Sequence, residues 1–333
     1  MTNLFFNGAP TPFEGDAVIY LGGHMGRDGS MTPHLKDRDN KATKALGCTL
    51  QIWARYPYMT MNLKMQLGDI LVGSVLMYAS EVWAWGKAAI IDRAEAKMLR
   101  RGCGVGPKVS ATAIRWLLGR LPIVARLWRQ AYRFWAKVVD MGSSRFEHMA
   151  LQTSWAMYRD LGRGWIQDMI SVFVKVGFSA PTDDFLTMQS WTASDIRLGY
   201  ARFAERVDCY FEEVMREELL ATKSKYDFLW SVHPAFGKAD LVEVSWKPHL
   251  IKSLCKFMLC DHQLEVETMR YGPWVVEKED RICDFCAHLG GQIPGNETHV
   301  LDECLQFCEF RAKTLQSIQR IGVDTPDDSI PKP

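Results

Sequence analysis

The chain has 333 residues, 47% of them apolar and 24% charged, a balance that excludes a disordered, collagenous or disulfide-scaffold protein and leaves room for about two domains. Lys and Arg number 40 against 39 Asp and Glu, so charge summed over the whole chain argues against a nucleic-acid binder. That neutrality is an average: residues 81–150 carry 13 basic and 5 acidic side chains, and residues 151–333 carry 20 and 28.

In chain order, Ala17-Val18-Ile19-Tyr20-Leu21-Gly22-Gly23 is β-branched and aromatic before it breaks at glycine, and Asp28-Gly29 follows as a turn signal, which predicts a short strand or hairpin. From Asp39 the pattern becomes helical, with Ala42, Leu46, Leu50 and Trp53 at helical spacing and Leu63, Leu67, Ile70 and Leu71 repeating it. The apolar stretch Ile70 to Ser80 stops at Glu81 and is about half the ~20 residues a bilayer crossing needs, so no membrane contact is expected. Arg101-Gly102-Cys103-Gly104-Val105-Gly106-Pro107 reads as a turn between two helices, not a phosphate-cradling loop, because no strand precedes it. Ile114 to Met141 is helical, with Pro122 starting a new segment. Met149 to Phe178 and Ile196 to Ala221 follow as helices, and a further helix runs from His249 to His262. Leu264 to Thr268 then alternates, a cysteine-rich module ends near Cys308, and a proline-bearing tail closes the sequence. The expected fold is mainly α. It divides into a β remnant over residues 1–38, a helical domain over 39–141, a helical linker region over 142–248, a metal-binding module over 249–310 and a tail over 311–333.

The sharpest chemical signal is Cys283-Asp284-Phe285-Cys286, then His299, then Cys304, a C-x2-C-x12-H-x4-C spacing. Two thiolates two residues apart can turn around one ion, and a later His and Cys on the first turn of a helix can complete a tetrahedron of soft ligands, so the spacing predicts structural zinc. A redox pair at Cys283 and Cys286 lacks the βαβ context that reading requires, and unligated buried thiols are the other alternative. Cys308 or His288 could stand in for a named ligand. Cys255, Cys260 and His262 read as core residues of an apolar helix. The odd count of nine cysteines and the absence of a basic flank before an apolar run in Met1 to Phe13 favour reduced thiols in a nuclear or cytoplasmic protein over a secreted one.

A second signal is basic. Arg93, Lys97, Arg100 and Arg101 recur every three or four residues or side by side, and so do Arg126, Arg129, Arg133 and Lys137, which places each set on one helix face. Val124, Leu127, Trp128, Ala131, Trp135 and Val138 would form the core side of the second helix. Glu95 is the only carboxylate between Arg93 and Lys137. Such a stripe can follow a phosphate backbone and release its counterions, so RNA or DNA is the expected partner; a solvated helix face is the alternative. The adjacent carboxylates Asp183-Asp184 and Asp327-Asp328 flank prolines and read as loops, and no nucleophile and base stand at a spacing that marks a catalytic site.

Together these pieces resemble the carboxyl-terminal part of the reverse transcriptase of non-LTR, LINE-type retrotransposons. Tyr20-Leu21-Gly22 with Asp28-Gly29 resembles that family's primer-grip strand and turn. Lys64 followed by Leu76-Met77-Tyr78-Ala79-Ser80-Glu81-Val82-Trp83 is similar to its thumb signature, in which a Tyr-Gly-Ser-Glu-x-Trp run ends an apolar stretch; Ala79 stands where the family has glycine. Leu118-Gly119-Arg120-Leu121-Pro122 resembles the next thumb block. Leu264 to Tyr271, Arg281-Ile282-Cys283 and Glu297-Thr298-His299 to Cys304 are similar to its terminal zinc module. The resemblance covers roughly residues 15–140 and 250–308. It implies a thumb-like helical domain and a CCHC zinc module, both binding nucleic acid. The family's Tyr/Phe-x-Asp-Asp turn lies upstream of the Tyr-Leu-Gly strand, which only about 19 residues precede here. This polypeptide is therefore not expected to polymerise DNA by itself; the alternatives are a fragment of an active RNA-directed DNA polymerase whose palm is encoded upstream, and a zinc-stabilised helical interaction protein.

Overall fold

A computed structural model of the chain describes residues 30–86, 88–178, 187–222, 225–243, 247–264, 276–277, 280–309 and 311–313, together with the four strands and His24. The architecture is mainly α. The strands form two antiparallel pairs: β1 (Phe5–Phe6) with β2 (Ala9–Pro10), and β3 (Ala17–Tyr20) with β4 (Gly23–Gly26), the latter at the predicted hairpin. The chain divides into two compact units, one of Met1–Lys223 with Ala235–Lys252, the other of Ser224–Pro234 with Ser253–Pro333.

In the first unit, α1 (Thr32–Arg55) begins earlier than Asp39, because Pro33 occupies its first turn, where no backbone N–H is needed. Its His34, Leu35, Arg38, Ala42, Leu46, Thr49 and Trp53 are buried along one face. The Thr60 hydroxyl caps α2 (Met61–Gly68), which runs through a π-helical turn at Asp69–Gly73 into α3 (Ser74–Leu76). The inward face here differs from the predicted one. Leu63 and Ile70 are exposed, while Met61, Lys64, Met65, Gly68 and Val72 are buried. The reason lies across the interface: Met65 and Trp53 both approach the Cα of Gly102, where there is no side chain to hold them off.

The chain then turns at Ala79, which holds a left-handed backbone conformation (φ 56°, ψ 25°), and enters α4 (Ser80–Trp83). This turn is a hub. The Tyr78 carbonyl accepts from the Trp83 indole N–H at 3.3 Å and from His34 Nε2 at 3.2 Å, while His34 Nδ1 takes the His24 backbone N–H at 3.4 Å. Burial lowers the His34 pKa against the raising effect of the Tyr78 carbonyl, which keeps the ring neutral.

α5 (Ala89–Cys103) and α6 (Ala111–Leu117) are separated by the predicted turn, with Gly104 left-handed and Ser110 capping α6. α7 (Ile123–Val139) starts after Pro122 and buries Leu127, Trp128, Ala131, Trp135 and Val138 as predicted, together with Tyr132, while Val124, predicted on the same face, is only half-buried. The run predicted as one helix from Met149 is two, α8 (Phe146–Leu161) and α9 (Trp165–Lys175), because Gly162 and Gly164 both adopt positive φ between them. A capping box of Thr192 and Asp195 opens α10 (Ala193–Ala221), which packs along α7: Phe203 stacks on Tyr132 at 4.5 Å between ring centroids, and Phe211 lies 5.0 Å from Trp128. At Gly119 (φ 59°) a Cβ would come within 2.4 Å of the backbone at Gly237 and Lys238, where Leu118 forms an isolated bridge with Lys238. The glycine of the Leu-Gly-Arg-Leu-Pro block therefore admits a second backbone strand as well as a left-handed turn.

In the second unit, α11 (Asp227–Val232) packs Phe228 against Phe257 of α12 (Pro248–Met258), a helix whose first residues belong to the first unit. α12 ends before the predicted His262, because Cys260 is left-handed (φ 53°) and the Asp261 N–H closes on the Lys256 carbonyl at 2.7 Å. α13 (Asp284–His288), a π-helical turn at His299–Glu303 and a 3-10 turn at Leu305–Phe307 complete the described part of the cysteine-rich module. The alternation expected from Leu264 to Thr268 lies, beyond Leu264, outside the described residues, as do Asp28-Gly29, Asp183-Asp184, Asp327-Asp328 and the end of the tail. Among the described residues no helix is long and apolar enough to cross a membrane.

Candidate functional site

Cys283, Cys286, His299 and Cys304 come together as the spacing predicts, all four buried, with one ligand atom from each lying within 4.8 Å of every other. Local backbone geometry sets them there. The Cys283 N–H donates to the Ile293 carbonyl at 2.9 Å, Ile282 bridges to Pro294, and the Gly291 N–H returns to the Cys286 carbonyl at 2.8 Å. The two cysteines thus sit at the bend of a tight loop, Cys283 at the N-cap of α13 and Cys286 in its first turn. His299 starts the π-helical turn and Cys304 follows it in extended conformation, with its N–H on the His299 carbonyl at 2.7 Å. That last pair was expected on the first turn of a helix; the wider π turn brings Cys304 round instead. Phe307 packs against the cluster.

The distances match those of a tetrahedral ligand set. Around a tetrahedral ion with bonds of about 2.3 Å to sulfur and about 2.05 Å to nitrogen, neighbouring sulfurs stand about 3.8 Å apart and sulfur and nitrogen about 3.6 Å. Cys283 Sγ lies 3.8 Å and Cys286 Sγ 3.9 Å from Cys304 Sγ, and Cys286 Sγ lies 3.3 Å from His299 Nε2. These four side chains could hold a metal ion. His299 is oriented for it, since Glu303 Oε2 stands 3.2 Å from Nδ1 and Asn296 Oδ1 accepts the His299 backbone N–H at 2.8 Å. A carboxylate on Nδ1 holds the proton there and leaves the Nε2 lone pair facing the thiols. Burial, and then hydrogen bonding with Cys304 and Cys283, pushes the Cys286 thiol up to about 11; a bound cation reverses that balance by favouring the thiolates. His288 and Cys308 are exposed and are not members of the buried group.

A second convergence joins Cys260 and His262, which the sequence places in the core of an apolar helix, with Glu297. Its distances differ in kind. His262 Nε2 and Glu297 Oε1 are 2.7 Å apart, a direct hydrogen bond, where two ligands of one ion would stand about 3.4 Å apart. The Leu264 N–H donates to His262 Nδ1 at 3.3 Å, which leaves the ring proton on Nε2, facing the carboxylate. Burial raises the Glu297 pKa, but the hydrogen bonds from His262, the backbone and Cys260, with the His262 charge, together outweigh it and hold the carboxyl below the usual range. The Cys260 thiol donates to the Lys225 carbonyl at 2.8 Å. This cluster ties the end of α12 and residue 225 to the loop that carries His299.

The basic residues separate into two groups. Arg93, Lys97 and Arg101 are exposed along one face of α5, while Arg100 turns inward and donates to the Val109 carbonyl at 2.9 Å. On α7, Arg126 is held by Asp69 at 3.1 Å and Glu95 at 3.3 Å, and Arg129 pairs with Asp208. Burial lowers the Arg129 pKa. Arg133 and Lys137 remain exposed, Arg133 lying 4.5 Å above the Tyr200 ring. The sequence could not reveal those pairings, because Asp69 and Asp208 come from distant parts of the chain. Arg115, outside the predicted stripe, is buried against Asp92 and Glu95. No protein-family model, curated protein or solved structure matches this chain.

Proposed function

We propose that this chain is the thumb and terminal zinc module of a non-LTR retrotransposon reverse transcriptase and that it binds RNA or DNA. The observation that carries the family reading is Ala79. The resemblance places a glycine there, and the backbone at that position is left-handed (φ 56°), a conformation only glycine adopts without strain. The Gly119 turn in the next thumb block, closed to any larger residue, supports the same reading. The metal is zinc, because three thiolates and one imidazole in a closed tetrahedron form a soft ligand set with no position left for a catalytic water. The ion folds the module and takes no part in chemistry.

Arg93, Lys97 and Arg101 are the residues that meet phosphate. They lie at i, i+4 and i+8 on α5, are exposed, and make no ion pair among the described residues. The Tyr/Phe-x-Asp-Asp turn of the family is not in this sequence, so these residues hold a nucleic acid and do not extend it. Fluorescence anisotropy with structured RNA and duplex DNA tests the proposal. Affinity should fall steeply with salt, and reversing Arg93, Lys97 and Arg101 to Glu should flatten that dependence. Absence of binding at low salt overturns it.

A further inference from the structure

Between α7 and α10 lies a half-open groove of about 310 Å³, lined by Tyr132, Arg133, Ala136 and Lys137 from one helix and Arg197 and Tyr200 from the other. Its rim carries three cations. Arg197 is paired with Asp140 at 2.8 Å, but both side chains are more than half exposed, so a phosphate can compete for the guanidinium. Arg133 lies over Tyr200, its guanidinium carbon 4.5 Å from the ring centroid. One face of that guanidinium is thus backed by an aromatic ring, and stacking holds its plane in place before any ligand arrives.

We infer that this groove is a single-strand subsite, in which one base stacks on the outer face of Arg133 while its flanking phosphates meet Lys137 and Arg197. The volume stands at the lower end of small-ligand sites, room for one nucleotide and not for a duplex. Arginine planes and aromatic rings beside a cationic track are the pattern that binds unpaired bases without regard to sequence. A base inside a duplex is already stacked on its neighbours and cannot enter. The subsite rests on the nucleic-acid reading above and extends it to α10, a helix for which the sequence suggests no role.

The test compares a short labelled oligouridylate with a duplex of equal length, binding the full chain by fluorescence anisotropy. Tyr200→Leu keeps an apolar side chain in place but removes the ring behind Arg133, and should weaken single-strand binding about tenfold with duplex binding held by the α5 face. Tyr200 is half-buried, so the exposed Lys137 supplies a variant that leaves the core alone: Lys137→Gln should lower the single-strand salt slope by about 0.7. Single-strand affinity and slope unchanged in both variants, or equal losses for the two probes, overturn the subsite while binding to nucleic acid stands. If the wild-type chain binds neither probe, both readings fall.

Discussion

Replacing Glu95 by Gln tests the ion cluster at the centre of the helical unit. Glu95 is 1% exposed and takes three donors: Arg115 Nη2 at 2.8 Å, the Ile123 backbone N–H at 3.0 Å and Arg126 Nη2 at 3.3 Å. The Ile123 contact matters because α7 begins after Pro122, which has no side-chain acceptor; a carboxylate from α5 caps α7 instead and faces the positive end of its dipole. Arg115 is itself buried, and although burial opposes its charge, Glu95 and Asp92 hold its pKa above the usual value. Gln keeps the shape but removes the charge and turns one acceptor into a donor. Breaking a buried pair costs about 3–5 kcal/mol when the partner is stranded. Here Asp92 still reaches Arg115 at 2.8 Å, so the lower figure applies: about 3 kcal/mol, or a fall in Tm of about 6–12 °C for a unit of this size. The assay is thermal unfolding of the full chain followed by circular dichroism. Adding Arg115→Met to Glu95→Gln should return part of the loss, because it removes the stranded cation. A change of less than about 0.5 kcal/mol in Glu95→Gln, the ordinary range for a surface site, would refute the assignment of Glu95 as the buried hub.

Three further outcomes follow. Gly119→Ala should cost about 2–3 kcal/mol or more, since its Cβ would meet backbone at 2.4 Å and cannot be relieved by rotating a side chain; near-native stability in a denaturant titration would contradict the Leu118–Lys238 contact. Ala79→Gly should raise stability by about 0.5–1 kcal/mol, because glycine relieves the left-handed strain by more than it gains in unfolded-chain entropy, and a loss in the same titration would contradict the φ of 56°. For Asp37, burial raises the pKa, but hydrogen bonds from Lys41 and Arg38 outweigh it and leave the carboxyl below its ordinary 3.8. Its contribution to stability is therefore present above pH 3.8 and lost as pH falls through the lower folded value. Asp37→Asn should be less stable than wild type at pH 6 and should converge with it in acid, and parallel pH profiles would rule this out.

Local chemistry was legible in the sequence and long-range pairing was not. The cysteine–histidine group was readable because two cysteines two residues apart must turn together, and because His299 and Cys304 lie close enough in sequence for one turn to bring both inward. The apolar face of α7 was readable from its 3.6-residue period. The same period placed Arg126 and Arg129 with Arg133 and Lys137, and it could not show that Asp69 and Asp208 neutralise the first two. Leu63 and Ile70 misled for a related reason: the partner that decides which face of α2 turns inward is Gly102, on another helix. Gly162 and Gly164 are a visible signal of the break between α8 and α9, masked by the apolar periodicity on either side. Charge reversal at Arg133 addresses the groove surface, whereas at Arg129 it would break the pair with Asp208 and so report on stability instead of binding.

Cys283, Cys286, His299 and Cys304 are proposed to close around one structural zinc ion. Metal analysis of the purified chain, by native mass spectrometry beside elemental analysis, addresses it most directly. One zinc per chain is expected in the wild type and in Cys308→Ser, and loss of the ion in Cys283→Ser and Cys304→Ser. A wild-type chain that carries less than one zinc, or Cys304→Ser protein that keeps a full complement, would contradict it.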